Sequence, residues 1–302
     1  MPVVRLSKLS KRYGPHPALV DIDLEIEPGE VFGYLGPNGA GKTTTIRILL
    51  GLLRPTAGRA EVFGLDTWTD AVAVHARTGY VPGDPGLWER LTGEATVVYL
   101  AQLRRDLPQI ERAHDLADRL ELDLSRRISE LSKGNKQKLV ITQAFMGEPD
   151  LVVLDEPTTG LDPLMQQEFH AIVHDTTGRG GTVFLSSHLL DDVQRTADRV
   201  GVIREGRLVA VERLQDLRAK AVHHVIASFD GPFDHAAFAA IAGVRDVTIT
   251  GDGIELRTAA GSLDDVVKML ARQRVVDVEI TEADLEEMFL AFYAGEEATD
   301  AA

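Results

Sequence analysis

A glycine-rich octapeptide carries the most specific chemistry in this sequence. Residues 36–43 read Gly-Pro-Asn-Gly-Ala-Gly-Lys-Thr and match G-x-x-x-x-G-K-[ST], a loop whose inward-turned backbone N–H groups bind phosphate. The positive end of the following helix points at the same anion; Lys42 is expected to reach the β- and γ-phosphates, and Thr43 to reach Mg²⁺. The sequence therefore predicts a nucleotide site, and its candidate nucleotide-binding residues are Gly36, Pro37, Asn38, Gly39, Ala40, Gly41, Lys42, Thr43 and Thr44.

Two adjacent acids form the second candidate feature. Asp155 and Glu156 follow the apolar run Leu151–Leu154, which is typical of a buried strand. In a parallel sheet, ligands bind at the carboxyl ends of the strands, so both acids are expected beside the phosphate loop. Because successive strand side chains point in opposite directions, Asp155 is predicted to hold Mg²⁺ and Glu156 to polarise the attacking water.

A parallel sheet with an inserted helical segment would position these residues. Residues 31–35 read as a buried strand before the phosphate loop, and residues 44–53 as a helix after it. Further short apolar strands are predicted at 151–154, 182–186 and 200–204. Apolar residues recur at helical spacing over 95–105 and 110–120, which predicts a helical hairpin between sheet elements.

The C-terminal part of the sequence predicts a separate small α+β unit after a boundary near 215–222. Its pattern is β-α-β-β-α-β, with strands at 225–229, 247–250, 254–257 and 276–280 and helices at 234–242 and 262–273. A last helix would place Leu285, Met288, Phe289 and Phe292 on one face, a stripe typical of core or dimer packing, before a tail from Gly295.

Composition restricts the possible partners. Of the 302 residues, 32 are Lys or Arg and 47 are Asp or Glu, and this net charge of −15 disfavours condensation on nucleic acid or anionic membranes. The absence of cysteine excludes disulfides, thiolate metal sites and cysteine nucleophiles. No apolar run approaches the ~18 residues of a membrane span, and the N-terminus lacks a signal core. We therefore expect a cytoplasmic chain with no nucleic-acid partner, unless another protein holds it at a membrane.

Further segments resemble one family of nucleotide-binding proteins. Residues 131–138, the signature segment, resemble the signature loop of ABC ATPases, and residues 159–163 resemble that family's D-loop. His188 closes the next strand as the family's switch histidine does, and Tyr13 is similar to its adenine-stacking aromatic residue. Together these motifs cover residues 5 to about 212. The chain thus resembles the ATP-binding subunit of an ABC transporter. It is most similar to the drug-resistance exporter type, whose C-terminal extension ends in a Leu-Glu-Glu-hydrophobic-Phe helix; residues 285–289 of this chain read Leu-Glu-Glu-Met-Phe.

The resemblance implies a fold, cofactors and partners. The expected fold class is α/β, with a P-loop NTPase (ABC ATPase) core over 1–218, a helical subdomain at about 90–145, and a small C-terminal α+β accessory or dimerisation domain over 222–302. ATP and Mg²⁺ would be the cofactors. The partners would be a separate transmembrane permease subunit and a second ATPase chain, with a homodimer favoured. The location would be the cytoplasmic face of the cell membrane.

The resemblance also implies residue roles. Glu156 and His188 would be catalytic, with His188 in contact with the γ-phosphate. In the facing chain, Ser132, Gly134 and Asn135 would close the site around the ATP, because hydroxyl, N–H and helix dipole all favour phosphate. Asp162 of the D-loop would position both sites across the interface.

The sequence departs from the family pattern at two places. Gly83 stands where the family usually has a glutamine that reaches Mg²⁺ and the attacking water, and Asp84 is the candidate substitute metal ligand, shifted by one residue. Lys133 and Asn135 stand where the family commonly has Gly and Gln. The second change is either harmless drift or added positive charge facing the partner's ATP, and the sequence leaves both open.

Three functions are consistent with these motifs. The leading one is an ATPase that powers a membrane exporter, with permease contacts along 84–92, where Leu87 and Trp88 are expected to be exposed. A soluble ABC-type ATPase acting on DNA repair or ribosomes is the alternative, although such proteins usually carry two nucleotide domains or a long coiled-coil insertion. A non-hydrolysing regulatory module is the third, and Glu156 argues against it.

Overall fold

The computed structural model describes residues 1–104, 106–220 and 222–281, and the chain divides into two compact units, Met1–Val211 and Glu212–Ala302. The strands of the first unit are β1 (Val4–Tyr13), β2 (His16–Ile26), β3 (Val31–Leu35), β4 (Ala57–Val62), β5 (Leu65–Asp66), β6 (Thr78–Val81), β7 (Leu151–Asp155), β8 (Thr182–Ser187) and β9 (Arg199–Arg204), and β10 (Arg207–Arg213) continues two residues past the boundary. Its helices are α1 (Lys42–Leu49), α2 (Ala71–His75), α3 (Gly93–Arg104), α4 (Gln109–Arg119), α5 (Lys133–Phe145), α6 (Pro163–Gly178) and α7 (Leu190–Thr196).

The central sheet of the first unit has the strand order β10-β9-β3-β8-β7-β6. Strand β3 is parallel to β8 and β9, and β7 is parallel to β6 and β8. Every residue of β3, β7 and β8 is buried, as a sheet covered on both faces requires. The register pairs Leu35 with Ser187 and Asp155 with Ser186, so the carboxyl ends of these three strands meet at one edge, as predicted.

A second, antiparallel sheet with the order β2-β1-β4-β5 packs against the central one. Its apolar side chains, such as Ile22, Leu24 and Ile26, belong to the same buried cluster as Phe32 and Phe184 of the central sheet. These residues alternate with acids in β2, which is the pattern of a strand with one buried and one exposed face.

Helix α1 begins at Lys42 and ends at Leu49, whereas the sequence predicted residues 44–53. The late boundary was wrong because Gly51 has φ of +62°, a left-handed conformation that ends helices and that glycine adopts without strain. The N–H groups of Leu52 and Leu53 then bond to the carbonyl of Arg47 and not to the next helical carbonyls.

Helices α3 and α4 form the predicted helical hairpin, and with α5 they enclose a separate apolar cluster that includes Val97, Ala113 and Leu139. Arg119 of α4 ties this subdomain to α6, because its guanidinium lies 2.5 Å from Glu168 and 2.9 Å from Asp175.

The second unit has the predicted β-α-β-β-α-β order after a short helix. Its elements are α8 (Leu214–Lys220), β11 (Val222–Phe229), α9 (His235–Ala239), β12 (Val244–Thr250), β13 (Gly253–Ala259), α10 (Leu263–Leu270) and β14 (Val275–Thr281). The antiparallel sheet has the order β12-β13-β11-β14, and the helices α9 and α10 contribute Phe238 and Val266 to its core. The predicted last helix with Leu285, Met288, Phe289 and Phe292, and the tail from Gly295, lie outside the described residues.

Candidate nucleotide site

The phosphate loop turns sharply between β3 and α1 because glycine occupies its strained and crowded positions. Gly39 and Gly41 have φ of +83° and +116°, which side chains disfavour. A Cβ atom on Gly41 would lie 2.7 Å from Leu19 Cδ2, and one on Gly36 would lie 2.5 Å from the carbonyl oxygen of Ile203. The loop can therefore approach its neighbours only without side chains at these positions.

Lys42 is buried at the start of α1 and folds back over the loop. Its Nζ donates to the carbonyl of Gly36 at 2.6 Å and lies 3.4 Å from Oε1 of Glu156. A buried ammonium group requires such partners, because leaving water is costly for an unpaired charge. The side chain is thus held where the backbone N–H groups of the loop converge.

Asp155 ends β7 and is buried, with both carboxylate oxygens engaged. Oδ2 accepts from the Thr43 hydroxyl at 3.1 Å, and Oδ1 accepts from the Ser186 hydroxyl at 2.7 Å. Burial, together with the charge of Asp155, raises the pKa of Tyr80 to about 12, so this phenol stays protonated at neutral pH. The sequence analysis missed Ser186 and Tyr80 as members of the site.

Glu156 follows in the left-handed region, with φ of +52°. Its N–H donates to the carbonyl of Ser186 at 3.0 Å, which fixes this conformation. The carboxylate lies between two nitrogen groups, with Oε2 2.6 Å from Nδ1 of His188 and Oε1 facing Lys42. A carboxylate so placed can accept a proton while the imidazole orients it.

A cavity of about 530 Å³ connects these groups. The sequence-predicted residues that line it are Pro37, Asn38, Gly39, Gly41, Lys42, Thr43, Thr44, Asp84, Asp155, Glu156 and His188. The other residues that line the cavity, none of them predicted as a nucleotide-site residue, are Ala18, Arg47, Tyr80, Pro82, Gly83 and Thr159. Gly36 and Ala40 belong to the loop without lining the cavity, and the motifs alone could not locate Ala18 or Arg47, since neither belongs to one.

Several predicted residues lie away from this cavity. Tyr13 is 47% exposed, with Lys11 Nζ 5.5 Å from its ring centroid. Ser132 is exposed and caps α5, its hydroxyl accepting from the N–H of Asn135 at 3.2 Å. Asp162 likewise caps α6. The roles assigned to Tyr13, Ser132, Gly134, Asn135 and Asp162 stay predictions.

The region around Gly83 differs in part from expectation. A Cβ atom on Gly83 would lie 3.7 Å from Oδ2 of Asp155, so this position faces the carboxylate with room for a side chain. Trp88 is 50% exposed and its ring contacts that of Tyr99 edge-on at 5.3 Å. The expectation that Leu87 is exposed was wrong, because Leu87 is partly buried against the apolar cluster of the helical subdomain.

Comparison with known proteins places this site in a family. The sequence pattern of the family described as ABC transporter matches residues 19–159. The bacitracin transport ATP-binding protein BcrA of Enterococcus faecalis is 30% identical over 299 residues, which cover 97% of each chain. The chain belongs to the ABC transporter family of ATP-binding proteins.

Other relatives agree with this assignment. The daunorubicin resistance ATP-binding protein DrrA3 of Streptomyces coeruleorubidus is 39% identical over 214 residues, covering 70% of this chain and 68% of the relative. A solved ATP-binding subunit of an ABC transporter superposes with a TM-score of 0.67 at 31% identity, over 72% of this chain and 92% of that chain. The predicted α/β ABC ATPase fold and ATPase activity are therefore confirmed.

Among the described residues, no helix has the length and apolar character needed to cross a bilayer.

Proposed function

We propose that this ABC ATPase powers the export of an antibiotic or another hydrophobic compound through a separate transmembrane permease, at the cytoplasmic face of the cell membrane. The observation that carries the proposal is the similarity to the bacitracin transport protein along 97% of both chains, which includes the C-terminal unit. We also propose that residues 1–218 form the nucleotide-binding domain and residues 222–302 an accessory domain.

ATP would enter the cavity with its phosphates against the phosphate loop. Lys42 Nζ, which now bonds to the carbonyl of Gly36, would face the β- and γ-phosphates. The N–H groups around Gly39 and Gly41, held by their positive φ values, provide the anion-binding nest. Tyr13 would stack on the adenine ring from outside the described cavity.

The site also fits Mg²⁺. The Thr43 hydroxyl and the Asp155 carboxylate are hard oxygen donors 3.1 Å apart, and such donors are the ligands that Mg²⁺ prefers. Asp84 lines the same cavity and would add a third oxygen donor. Bound Mg²⁺ would neutralise charge on the phosphates.

Glu156 would act as the base that polarises the attacking water. Its carboxylate is oriented by His188 at 2.6 Å and by Lys42 at 3.4 Å. When phosphate takes over the contact with Lys42, Oε1 becomes available to water, while Oε2 keeps its contact with the imidazole. This exchange would link phosphate binding to the activation of Glu156.

A second identical chain would complete each site. Ser132 is exposed at the N-terminus of α5, and it does not line the cavity of its own chain. In a dimer, its hydroxyl, with the N–H groups of Gly134 and Asn135, would face the partner's γ-phosphate. ATP would then hold the two chains together, and hydrolysis would release them.

The test is an affinity purification of the tagged full-length chain from gently solubilised native membranes, with mass spectrometry of its partners. A stoichiometric protein with several membrane spans is expected, and only soluble partners or nucleic acid would contradict the proposal. Cargo is tested by antibiotic susceptibility of cells lacking the chain, complemented with the wild type or with Lys42→Ala. We expect only the wild type to restore resistance to an exported compound.

A further inference from the structure

The N-terminal part of α5 contacts the segment that carries the catalytic acid of the same chain. Gln137 is 4% exposed, and its side-chain Nε2 donates to the carbonyl of Pro157 at 2.9 Å. Pro157 directly follows Glu156. A side chain of the signature segment is therefore bonded to the backbone one residue beyond the proposed base.

A second contact lies one helical turn earlier. A Cβ atom on Gly134 would stand 2.7 Å from the carbonyl oxygen of Gly160, so the backbone of α5 rests directly on the D-loop. Gly160 itself has φ of +83°. Residues 157–160 are thus held against α5 at both ends, by the amide of Gln137 and by the close approach of Gly134.

The backbone conformation of Glu156 depends on the contacts of its neighbouring residues. A glutamate at φ of +52° occupies a sparsely populated region, and such a residue keeps its geometry only where its surroundings impose it. The N–H of Glu156 is fixed by the Ser186 carbonyl on the sheet side. Gln137 fixes the carbonyl of the next residue, Pro157, from the helix side, so a shift of α5 would pull on the backbone that carries the Glu156 carboxylate.

We propose that Gln137 is a positioning residue that couples the signature segment of each chain to its own Glu156. The proposal rests on the proposed function, in which exposed Ser132 at the start of α5 faces the partner's ATP. Because Ser132 and Gln137 lie on the same helix, closure of α5 on the partner's nucleotide sets the carboxylate that hydrolyses the chain's own nucleotide. In each chain, ATP bound at the partner's site therefore affects the position of the chain's own Glu156.

The first test compares Gln137→Leu and Gln137→Glu with the control Gln143→Leu. Gln143 lies on the same helix, and its Nε2 is buried with no hydrogen-bond partner among the described residues, so its loss removes an amide without removing a bond. We expect both Gln137 variants to lower kcat for ATP by about tenfold or more, since small misplacements of a catalytic group are costly. The KM for ATP of these variants and the kcat of the control are expected to stay near wild type. The rates are measured well below the melting temperature of each variant, because the loss of a buried hydrogen bond lowers that temperature.

Mixed dimers then identify which Glu156 depends on Gln137. In the first dimer, one chain carries Glu156→Gln and the other Gln137→Leu, so the sole active base and the altered glutamine share a chain. In the second, one chain carries both changes and the other is wild type, so they lie on different chains. The reference dimer pairs Glu156→Gln with the wild type.

We expect kcat for ATP to be about tenfold lower in the first mixed dimer than in the reference dimer, and equal to the reference in the second. The reverse result would mean that Gln137 serves only the docking of the signature segment, and would overturn the proposal. Wild-type kcat in Gln137→Leu, or a loss explained by lower melting temperature or weaker ATP binding, would also overturn it. Failure of the Glu156→Gln chain, which cannot hydrolyse ATP, to dimerise with ATP would contradict the proposed dimer itself.

Discussion

The imidazole Nδ1 of His188 lies 2.6 Å from the Glu156 carboxylate, although the two residues end different strands. The parallel register of β7 and β8 brings these two residues together. Asp155 at the end of β7 lies opposite Ser186 of β8, Glu156 follows Asp155 directly, and His188 follows Ser186 by two residues. His188 also donates its backbone N–H to the same carboxylate oxygen at 3.4 Å. The ring and the backbone N–H of His188 therefore both contact one carboxylate oxygen and orient the proposed base.

The first prediction is that ATP hydrolysis requires the carboxylate charge of Glu156 and not only a side chain of its shape. Glu156→Gln keeps the shape of the side chain and removes the basic oxygen, so we expect kcat for ATP to fall by about 100-fold or more while ATP binding persists. The variant is expected to accumulate as an ATP-bound dimer, measured by size-exclusion chromatography with light scattering. Glu156→Asp is the control variant that keeps the negative charge on a shorter side chain. A Glu156→Gln chain that stays monomeric in saturating ATP would contradict the proposed dimer.

The second prediction concerns the glutamine missing at Gly83. Asp84→Ala is expected to lower ATPase activity several-fold, because Asp84 would supply the oxygen ligand that Gly83 lacks. A side chain at Gly83 begins 3.4 Å from the Asp155 carbonyl and 3.7 Å from its carboxylate, which are ordinary contacts. Gly83→Gln should therefore fold normally and restore activity to Asp84→Ala.

Phosphate-release assays across a range of Mg²⁺ concentrations measure these effects. Asp84→Glu is the conservative control and is expected to retain more activity than Asp84→Ala. Unchanged activity in Asp84→Ala would reject Asp84 as the substitute for the missing glutamine.

Much of this site could be predicted because its residues are tied to strand ends. The short apolar runs predicted β3 and β7, and the carboxyl ends of parallel strands lie at the same edge of a sheet. Ser186 could not be assigned in the same way, because its bond to Asp155 depends on which strands are neighbours and on their register.

Other features depend on contacts between elements far apart in sequence. Leu87 is partly buried because it packs against the apolar cluster of the helical subdomain, whereas we expected it to be exposed for a permease contact. The bond from Gln137 to Pro157 joins a helix to a strand end 20 residues later, and no local pattern signals it. The residues proposed to act on a partner chain do not line the nucleotide cavity of their own chain, so its geometry does not identify them.

The third prediction separates backbone strain from crowding in the phosphate loop. A Cβ atom on Gly39 meets no atom within 4 Å, so Gly39→Ala is expected to cost only the left-handed strain, about 1–2 kcal/mol. Gly41→Ala adds clashes with Leu19 at 2.7 Å and the Ala18 carbonyl at 2.9 Å, worth roughly another 1–3 kcal/mol. Urea-induced unfolding should rank wild type above Gly39→Ala and Gly41→Ala lowest. Equal destabilisation by the two alanines would show that crowding at Gly41 does not contribute.

The last prediction is a pH dependence that originates in α6. His170 is partly buried, and its Nε2 has no hydrogen-bond partner among the described residues. Burial lowers its pKa from 6.5, the charge of Asp192 opposes this effect, and Arg195 and His174 add to it. Near and below pH 6.5, the unfolded chain therefore binds more protons at this site than the folded chain. The free energy of unfolding falls as the pH drops through 6.5 towards the lower pKa that His170 has in the folded chain.

His170→Gln removes this group, so its urea midpoint should decrease less than that of the wild type between about pH 7.5 and about pH 5.5. His16→Gln, at an exposed position in β2 and absent from the groups that shift the pKa of His170, is the control and should follow the wild-type curve. Comparing differences between variants at each pH cancels the titration of the remaining groups. A His170→Gln curve parallel to the wild-type curve would show that His170 takes up its proton equally well in the folded chain, despite its burial.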